Sequence, residues 1–556
     1  MLNRFSGSVF QAKEKVNDLY MSSSNTTHNM SDNPIAFSQN VTVKPITRTR
    51  SNSRPFSWVK MTPTLITAFL TAIISPMLSI SEAQAVMRAT CQLSAEEVAK
   101  KDDLRQAAIA GDQTAQAEYE ALLQEQAQRL NTCRSQNWPK NQAIWVRLYS
   151  CDARPGKLDA LLDRIVSKGY NQVYVETFYD GQVLLPMADN PTAWPSAIRT
   201  PGLENRDLLA EVIKKGHQRG LKVYAWHFTM NFGYSYAQTP EREAALAKNG
   251  RGQNTMNVRQ ELGLHADAES QEGHVFVDPY SPQARKDYSV MISEVLERQP
   301  DGMLFDYVRY MRGVGPASVV SNVEQLWIYS QASRETLYQR ALNQKGREMI
   351  RRFVANGRIT AQDIAEINQQ YPTEGEPLWQ GRSVVATKTV ATPEQLQPQL
   401  QWELWYLSVA HAVQGILDFV ALAIEPIEAQ GIPAGAVFFP GGNRPVGERG
   451  YDSRLQPWDR FPASMEFHPM AYANCGKTHC IVEEIERVVS MASPQTRIIP
   501  ALAGDWGKSI KERPSLEAQM DDIYRRLGNR IDSVSHFAYA WQEPESDRDR
   551  KFCTAD

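Results

Sequence analysis

The chain has 556 residues, a formal net charge of −3, 42% hydrophobic residues and 22% charged residues. These proportions sit near the globular averages of about 45–50% and 25%, which excludes a wholly disordered chain, a collagen-like repeat and a polytopic membrane protein. Near-neutral charge also argues against a dedicated nucleic-acid binder, which carries a basic excess.

The average conceals an uneven start. Residues 1–60 hold eight Lys/Arg and three acids and are rich in Ser, Asn and Thr, so they read as a disordered polar leader. Residues 61–85 read as a signal peptide. The run 62–80 is apolar and uncharged, follows Arg48, Arg50, Arg54 and Lys60, and leads to Ala83-Gln84-Ala85, the small-x-small form that a signal peptidase cuts. The alternative is an uncleaved membrane anchor, because the run is just long enough to span a bilayer. The body after residue 85 holds 52 basic and 59 acidic residues and is mildly acidic. The expected location is outside the cytoplasm: periplasmic, extracellular or envelope-associated.

All six cysteines follow this leader. An even count in an exported chain implies disulfides, and the pairing favoured among the possible ones is Cys91–Cys133, Cys151–Cys553 and Cys475–Cys480. Zinc at Cys475, Cys480 and His479 is the competing reading. It is disfavoured because the spacing is not a CxxC pair and no second pair exists.

Residues 86–140 form a predicted helical hairpin, since 93–132 are dominated by Ala, Glu, Gln, Leu and Lys without proline. From residue 141 short apolar runs alternate with amphipathic helices. The runs are 143–148, 172–177, 222–228, 302–308, 434–439, 464–470, 497–502 and 533–540; the helices include 158–168, 208–219, 284–297, 480–491 and 516–527. Gly169, Gly220 and Gly431 stand where left-handed helix caps belong. Strand alternating with helix predicts an α/β fold with parallel strands, and eight such strands predict a (β/α)8 TIM barrel over 141–556. Two connections are long. They cover 231–282 after the third strand and about 311–400 after the fourth, both on the side where barrel active sites are built. In a closed barrel the first and eighth strands are neighbours, which makes the Cys151–Cys553 pair reasonable.

The strand ends carry the candidate chemistry. Asp306 interrupts DGMLFDYVRY, a strand that should be apolar if buried on both faces. The structural alternative for it is a salt bridge to Arg309. Glu176 lies inside VYVETFYDG, the second acid within a strand-like run, with Asp180 in its loop. Trp226 and His227 end the third strand, and His468 and Tyr472 lie on the sixth. Asp505 and Trp506 follow the seventh, and Trp541 follows the eighth. Paired carboxylates with aromatic platforms are what glycoside hydrolysis needs.

At these segments the sequence resembles glycoside-hydrolase-like family 10. The matching segments are WVRLYS, VYVETFYDG, KVYAWHF, FVDPYSPQAR, DGMLFDYVRY and FHPMAY, spread over most of 142–545. The resemblance implies a (β/α)8 barrel acting on polysaccharide, with peptidoglycan strands a candidate envelope glycan. It makes Asp306 the acid of the strand-four motif, Trp226 the strand-three tryptophan and Asp278-Pro279 the turn where the family commonly has Asn-Pro. Tyr224 replaces the histidine of many relatives. Tyr307 replaces the second aspartate of one branch, so the partner of Asp306 must come from another strand.

The resulting expectation is an exported glycoside hydrolase. Asp306 serves as nucleophile or general base, with Glu176 or Asp505 as general acid. Arg309 orients Asp306; Trp226, Tyr472, Trp506 and Trp541 stack on sugar rings; His227 and His468 bind hydroxyls. The partner is a polysaccharide, with no nucleic acid, no cofactor and no metal, and contact with a membrane only if 62–80 stays uncleaved. Two alternatives stand beside it: a metal-dependent hydrolase or deacetylase using His227, His468, Asp306 and Asp505, and a non-catalytic glycan-binding barrel.

Overall fold

The computed structural model describes residues 91–261, 274–383 and 391–553. The polar leader and the apolar run 62–80 lie outside the described residues.

Eight strands form the core: β1 (Asn141–Val146), β2 (Gln172–Tyr179), β3 (Lys222–Phe228), β4 (Gly302–Asp306), β5 (Ala434–Phe438), β6 (Glu466–Ala471), β7 (Ala501–Ala503) and β8 (Ser533–Phe537). Each pairs in parallel with the next, and β1 pairs with both β2 and β8. Ala143 faces Ser535 on one side and Gln172 on the other. The sheet is therefore closed, and the fold is a TIM barrel. A short strand, Gln182–Val183, turns back antiparallel on β2.

Helices cover the barrel with their apolar faces inward. On α3 (Lys157–Ser167), Leu161, Leu162, Ile165 and Val166 are buried; on α11 (Leu516–Leu527), Leu516, Met520, Ile523 and Leu527 are buried. Between them in the chain come α4 (Leu208–Gln218), α5 (Pro282–Leu296) and α10 (Thr478–Met491). The connection after β4 holds α6 (Gln331–Tyr338), α7 (Gln344–Asn356) and α8 (Ala361–Gln370). It then enters α9 (Pro393–Ala429), one continuous helix of 37 residues. Its length and hydropathy would suffice to cross a membrane. Here Leu404, Ile416, Phe419 and Ile427 are instead buried in the protein, and the helix leads directly into β5. A three-stranded antiparallel ribbon of Val319–Val320, Gly450–Asp452 and Pro445–Val446 ties this insertion to the loop after β5.

The FVDPYSPQAR segment joins the two insertions. Ser281 caps α5, with Pro282 at its first turn. Asp278 accepts from the Tyr280 backbone N–H, the Ser330 hydroxyl and the Ser333 N–H, so it also fixes the start of α6.

The N-terminal hairpin is α1 (Ala95–Ile109), capped by a Ser94–Glu97 box, and α2 (Gln113–Gln136), capped by Asp112. Buried polar contacts hold it to the barrel. Asp163 of α3 accepts from Arg105 (3.0 Å), Tyr119 (2.7 Å) and Arg219 (2.8 Å). Burial there lowers the Lys101 ammonium to about 8. Gly169 takes φ +82°, and a Cβ on it would lie 2.4 Å from the Cys91 carbonyl oxygen.

Three disulfides are present: Cys91–Cys133, Cys151–Cys553 and Cys475–Cys480. The first closes the hairpin. The second joins the segment after β1 to the end of α12 (Pro544–Phe552), across the seam where the barrel closes. No free cysteine occurs among the described residues, which fits an oxidising compartment.

Candidate active site

Alternation along the strands sorts side chains between the barrel interior and the helix layer. Trp145, Tyr174, Trp226 and His468 point inward. Trp145 meets Tyr174 edge-on at 4.8 Å and Trp226 at 4.9 Å, and its indole N–H donates to Ser535 Oγ (3.0 Å). Trp226 is in register with Leu304, and Phe228 with Asp306. Asp306 therefore ends β4 on the interior face, at the C-terminal mouth.

Burial pushes the Asp306 carboxyl up to about 6. Its direct partner is the next residue: the Tyr307 N–H donates to Asp306 Oδ1 at 2.6 Å. Tyr307 has φ +53°, a region that bulky residues enter only at a cost. The Arg309 charge and the Trp226 indole also hold the carboxyl down, while the charge of Glu176 raises it. Glu176 thus shares the site with Asp306.

Glu176 sits at an irregularity. The β2–β3 register shifts between Glu176 and Phe178, as at a bulge, a device that re-aims side chains beside active sites. Arg147, one residue past β1, donates from Nε to Glu176 Oε2 at 2.5 Å and reaches Asp180 at 3.5 Å. Its guanidinium lies 4.2 Å over the Tyr179 ring. The Glu176 side chain is 3% exposed and that of Arg147 is 37% exposed, so the cation opens to the mouth while the carboxylate lies beneath it. Burial raises the Glu176 carboxyl above its ordinary value, and Arg147 opposes the rise. Arg147 was not among the residues singled out in the sequence. Its signal was a cation ending the apolar strand AIWV. His274 completes this wall, 3.3 Å from the Tyr307 hydroxyl and 3.9 Å from Asp180.

An aromatic row borders the carboxylates. Phe537 stands 6.2 Å from Trp226, 5.8 Å from Tyr472 and 6.1 Å from Trp541. The Tyr472 phenol is pushed well above its usual range by burial and by the Asp306 charge, so it shares the neighbourhood of Asp306. Phe537 joins this row without having been expected, because a phenylalanine in a strand carries no signal beyond core packing.

Five of the expected residues are not bonded into this cluster. His227 follows Trp226 in the strand, so alternation turns it to the helix layer. It lies beside Phe305 with neither ring nitrogen hydrogen-bonded, and burial drops it to about 3. His468 does face inward, 5.5 Å from Tyr174 and 3.5 Å from Glu466, but four residues below Tyr472, or about 13 Å along the strand. It is fully buried there, out of reach of a ligand at the mouth. Trp506 packs behind β8, edge-on to His536 at 5.1 Å, and donates to the Tyr170 hydroxyl. Arg309 makes no ion pair with Asp306 among the described residues. It stacks on Tyr307 at 4.6 Å and donates to the Tyr310 carbonyl. Asp505 is buried and pairs with Lys508 at 3.2 Å, and no hydrogen bond or ion pair joins it to Asp306 or Glu176. His227, His468, Asp306 and Asp505 form no ligand cluster among the described residues.

Residues 130–356 match the model of the family described as glycosyl hydrolase-like 10. The chain carries a glycosyl hydrolase-like 10 domain. Its matched part spans β1 to β4 and so contains Arg147, Glu176, Asp180, Trp226 and Asp306; Tyr472 and Phe537 lie beyond it. Solved structures similar to this chain include the PgaB (BpsB) glycoside hydrolase domain from Bordetella bronchiseptica. That match has 15% identity and a TM-score of 0.43, covering 74% of this chain and 98% of that one. A β-galactosidase from the psychrophilic Marinomonas ef1 matches at 12% identity and a TM-score of 0.38, covering 74% and 58%. A GH18 chitinase from Pseudoalteromonas aurantia matches at 8% identity and a TM-score of 0.32, covering 73% and 97%. No curated protein matches the sequence.

Proposed function

We propose that this protein is an exported glycoside hydrolase acting on a polysaccharide, with an envelope glycan such as peptidoglycan strands as the candidate substrate. The observation that carries this reading is Asp306: a carboxyl with pKa about 6 at the barrel mouth, beside Trp226. Such a group keeps its proton up to about pH 6, well above the range of an ordinary carboxyl, and can give it to a leaving glycosidic oxygen.

The two carboxylates divide the work in the opposite sense to the sequence-based expectation. Asp306, with no cation bonded to it, is the general acid. Glu176, held by Arg147, is the anionic partner that attacks the anomeric carbon or activates water. Trp226, Tyr472 and Trp541, with Phe537, offer apolar faces to sugar rings. The apolar run 62–80 with its Ala83-Gln84-Ala85 site, and the three disulfides, support export.

Product analysis on defined glycans, including peptidoglycan strands, tests this reading. Wild type is expected to release oligosaccharides. Asp306→Asn and Glu176→Gln are each expected to lose about 10²- to 10⁴-fold in rate. Undiminished cleavage by Asp306→Asn would remove Asp306 from the chemistry. Glycan binding without cleavage by wild type would identify a binding barrel.

A further inference from the structure

A small cavity lies in the insertion after β4, apart from the two acids. Its volume is about 70 Å³. That is room for roughly five water molecules, and so for about one sugar ring. Phe353 of α7 and Trp402 and Trp405 of α9 supply the apolar wall, and Asn322, Gln401 and Arg449 the polar rim. Phe353 and Trp405 are buried, while Trp402 is partly buried. Tyr406, one turn further along α9, is exposed and meets Trp402 edge-on at 4.4 Å.

The rim is held in place and shows donors. The Ile359 N–H donates to Gln401 Oε1 (2.9 Å), and the Gln325 N–H donates to Asn322 Oδ1 (3.2 Å). Each backbone N–H can be met only by an amide oxygen, so each side-chain NH2 is the group left over. Neither NH2 has a protein partner among the described residues. The Trp405 indole N–H donates to the Arg449 carbonyl (3.1 Å). The Arg449 guanidinium lies 5.0 Å over the Trp402 ring and forms no ion pair among the described residues. Aromatic surface beside planar donors suits a sugar. Its C–H groups pack on the rings, and its oxygens accept from the donors.

One short run of chain joins this cavity to the mouth. Arg309 and Arg454 both stack on Phe439, at 5.6 and 4.6 Å. Five residues before Arg454, across the ribbon strand Gly450–Asp452, Arg449 lines the cavity. Five residues span at most about 17 Å. Several linked sugars cover that distance, and a single sugar does not.

We propose that this cavity is a secondary glycan site, which holds one sugar of a polysaccharide whose chain continues toward the mouth. The free donors of Gln401, Asn322 and Arg449 select a sugar with an acceptor substituent, an acetamido carbonyl or a carboxylate. The inference rests on the polysaccharide reading for its ligand, and not on the roles of Asp306 and Glu176.

Titration calorimetry on the full chain carrying Asp306→Asn tests this with three hexamers: of N-acetylglucosamine, of galacturonate, and cellohexaose, which has neither substituent. One of the first two is expected to bind at least tenfold more tightly than cellohexaose, and which one it is names the substituent. Adding Trp402→Ala should weaken that binding at least tenfold, and Trp402→Tyr much less. Gln401→Glu keeps the oxygen that accepts from Ile359 and replaces the free donor with an acceptor. It should weaken binding about as much, with an unchanged unfolding midpoint. With Asp306 restored, Trp402→Ala should raise KM for the same hexamer and leave kcat within about twofold. If that chain cleaves nothing while binding still depends on Trp402 and Gln401, the hydrolase reading fails and this site stands. Binding that is unaffected by both substitutions, absent for every hexamer, or as tight for cellohexaose as for the others overturns the site, whether or not the chain cleaves glycan.

Discussion

Arg147 Nε and Glu176 Oε2 meet at 2.5 Å where β1 and β2 emerge from the barrel, joining an open cation to a buried carboxylate. No comparable ion pair engages Asp306 among the described residues. Two acids at one mouth therefore have different surroundings, and differences of this kind set carboxyl pKa values apart.

Removing that cation leaves Glu176 buried without its counter-charge. Its carboxyl, already raised by burial, should rise further in Arg147→Met. The acidic limb of the pH–rate profile is expected to move to higher pH, with a lower maximal rate. The stability cost is about 1–2 kcal/mol, below the 3–5 kcal/mol of a fully buried pair because Arg147 is partly solvated. Denaturant unfolding and a kcat/KM profile read both effects. An unmoved acidic limb would exclude Glu176 as the anionic partner.

Asp306 and Asp278 are both raised by burial, from the ordinary 3.8 to about 6. A carboxyl raised in the folded state stabilises the fold fully below its unfolded pKa, and that contribution is lost as pH rises through the folded pKa. Each group should therefore withdraw roughly 3 kcal/mol between about pH 4 and pH 6. Asp306→Asn should remove about half of their combined slope, seen in denaturant midpoints measured across that window. Asp278 supplies the remainder. In active protein, kcat/KM should fall tenfold per pH unit above about 6, as the acid loses its proton. A stability slope identical in wild type and variant would contradict the buried, raised carboxyl.

Trp226 and His227 separate the two faces of β3. His227→Leu is expected to leave glycan cleavage unchanged and the unfolding midpoint equal or higher, since it removes two buried nitrogens without hydrogen bonds. Trp226→Ala should raise KM or abolish turnover, and should cost about 3–5 kcal/mol as a buried indole lost from the Trp145 contact. Loss of activity in His227→Leu with a normal melting curve would return His227 to the site.

Gly233 lies against the β2 loop that carries Asp180. It takes φ +77°, and a Cβ there would lie 2.2 Å from Gly181 N and 2.5 Å from Gly181 Cα. Gly233→Ala must displace that backbone, and should lower stability by about 1–3 kcal/mol and reduce activity together. Thermal unfolding with parallel rate measurements checks this; a drop in stability with full activity would show that Asp180 and its loop are not needed.

Much of the fold was legible because its signals are local. Apolar runs of strand length alternating with amphipathic helices, and two long connections on one side, are properties of neighbouring residues. Helix boundaries in the second insertion are less legible. The stretch 335–356 is amphipathic throughout, yet α6 ends at Tyr338 and α7 begins at Gln344, capped by Asn343. In the same insertion, α9 runs on unbroken into the barrel layer, because tertiary burial rather than local pattern sets its end.

The amino-acid order by itself determined the barrel and drew attention to Asp306 and Glu176, because a carboxylate in an apolar strand is conspicuous without any coordinates. It could not determine depth, facing or charge state. Only closure of the sheet brings β1 beside β2 and places Arg147 on Glu176. Alternation within the folded strand takes His227 away from Trp226. Burial, which depends on every covering element at once, raises both carboxyls, and the Arg147 charge opposes the rise at Glu176.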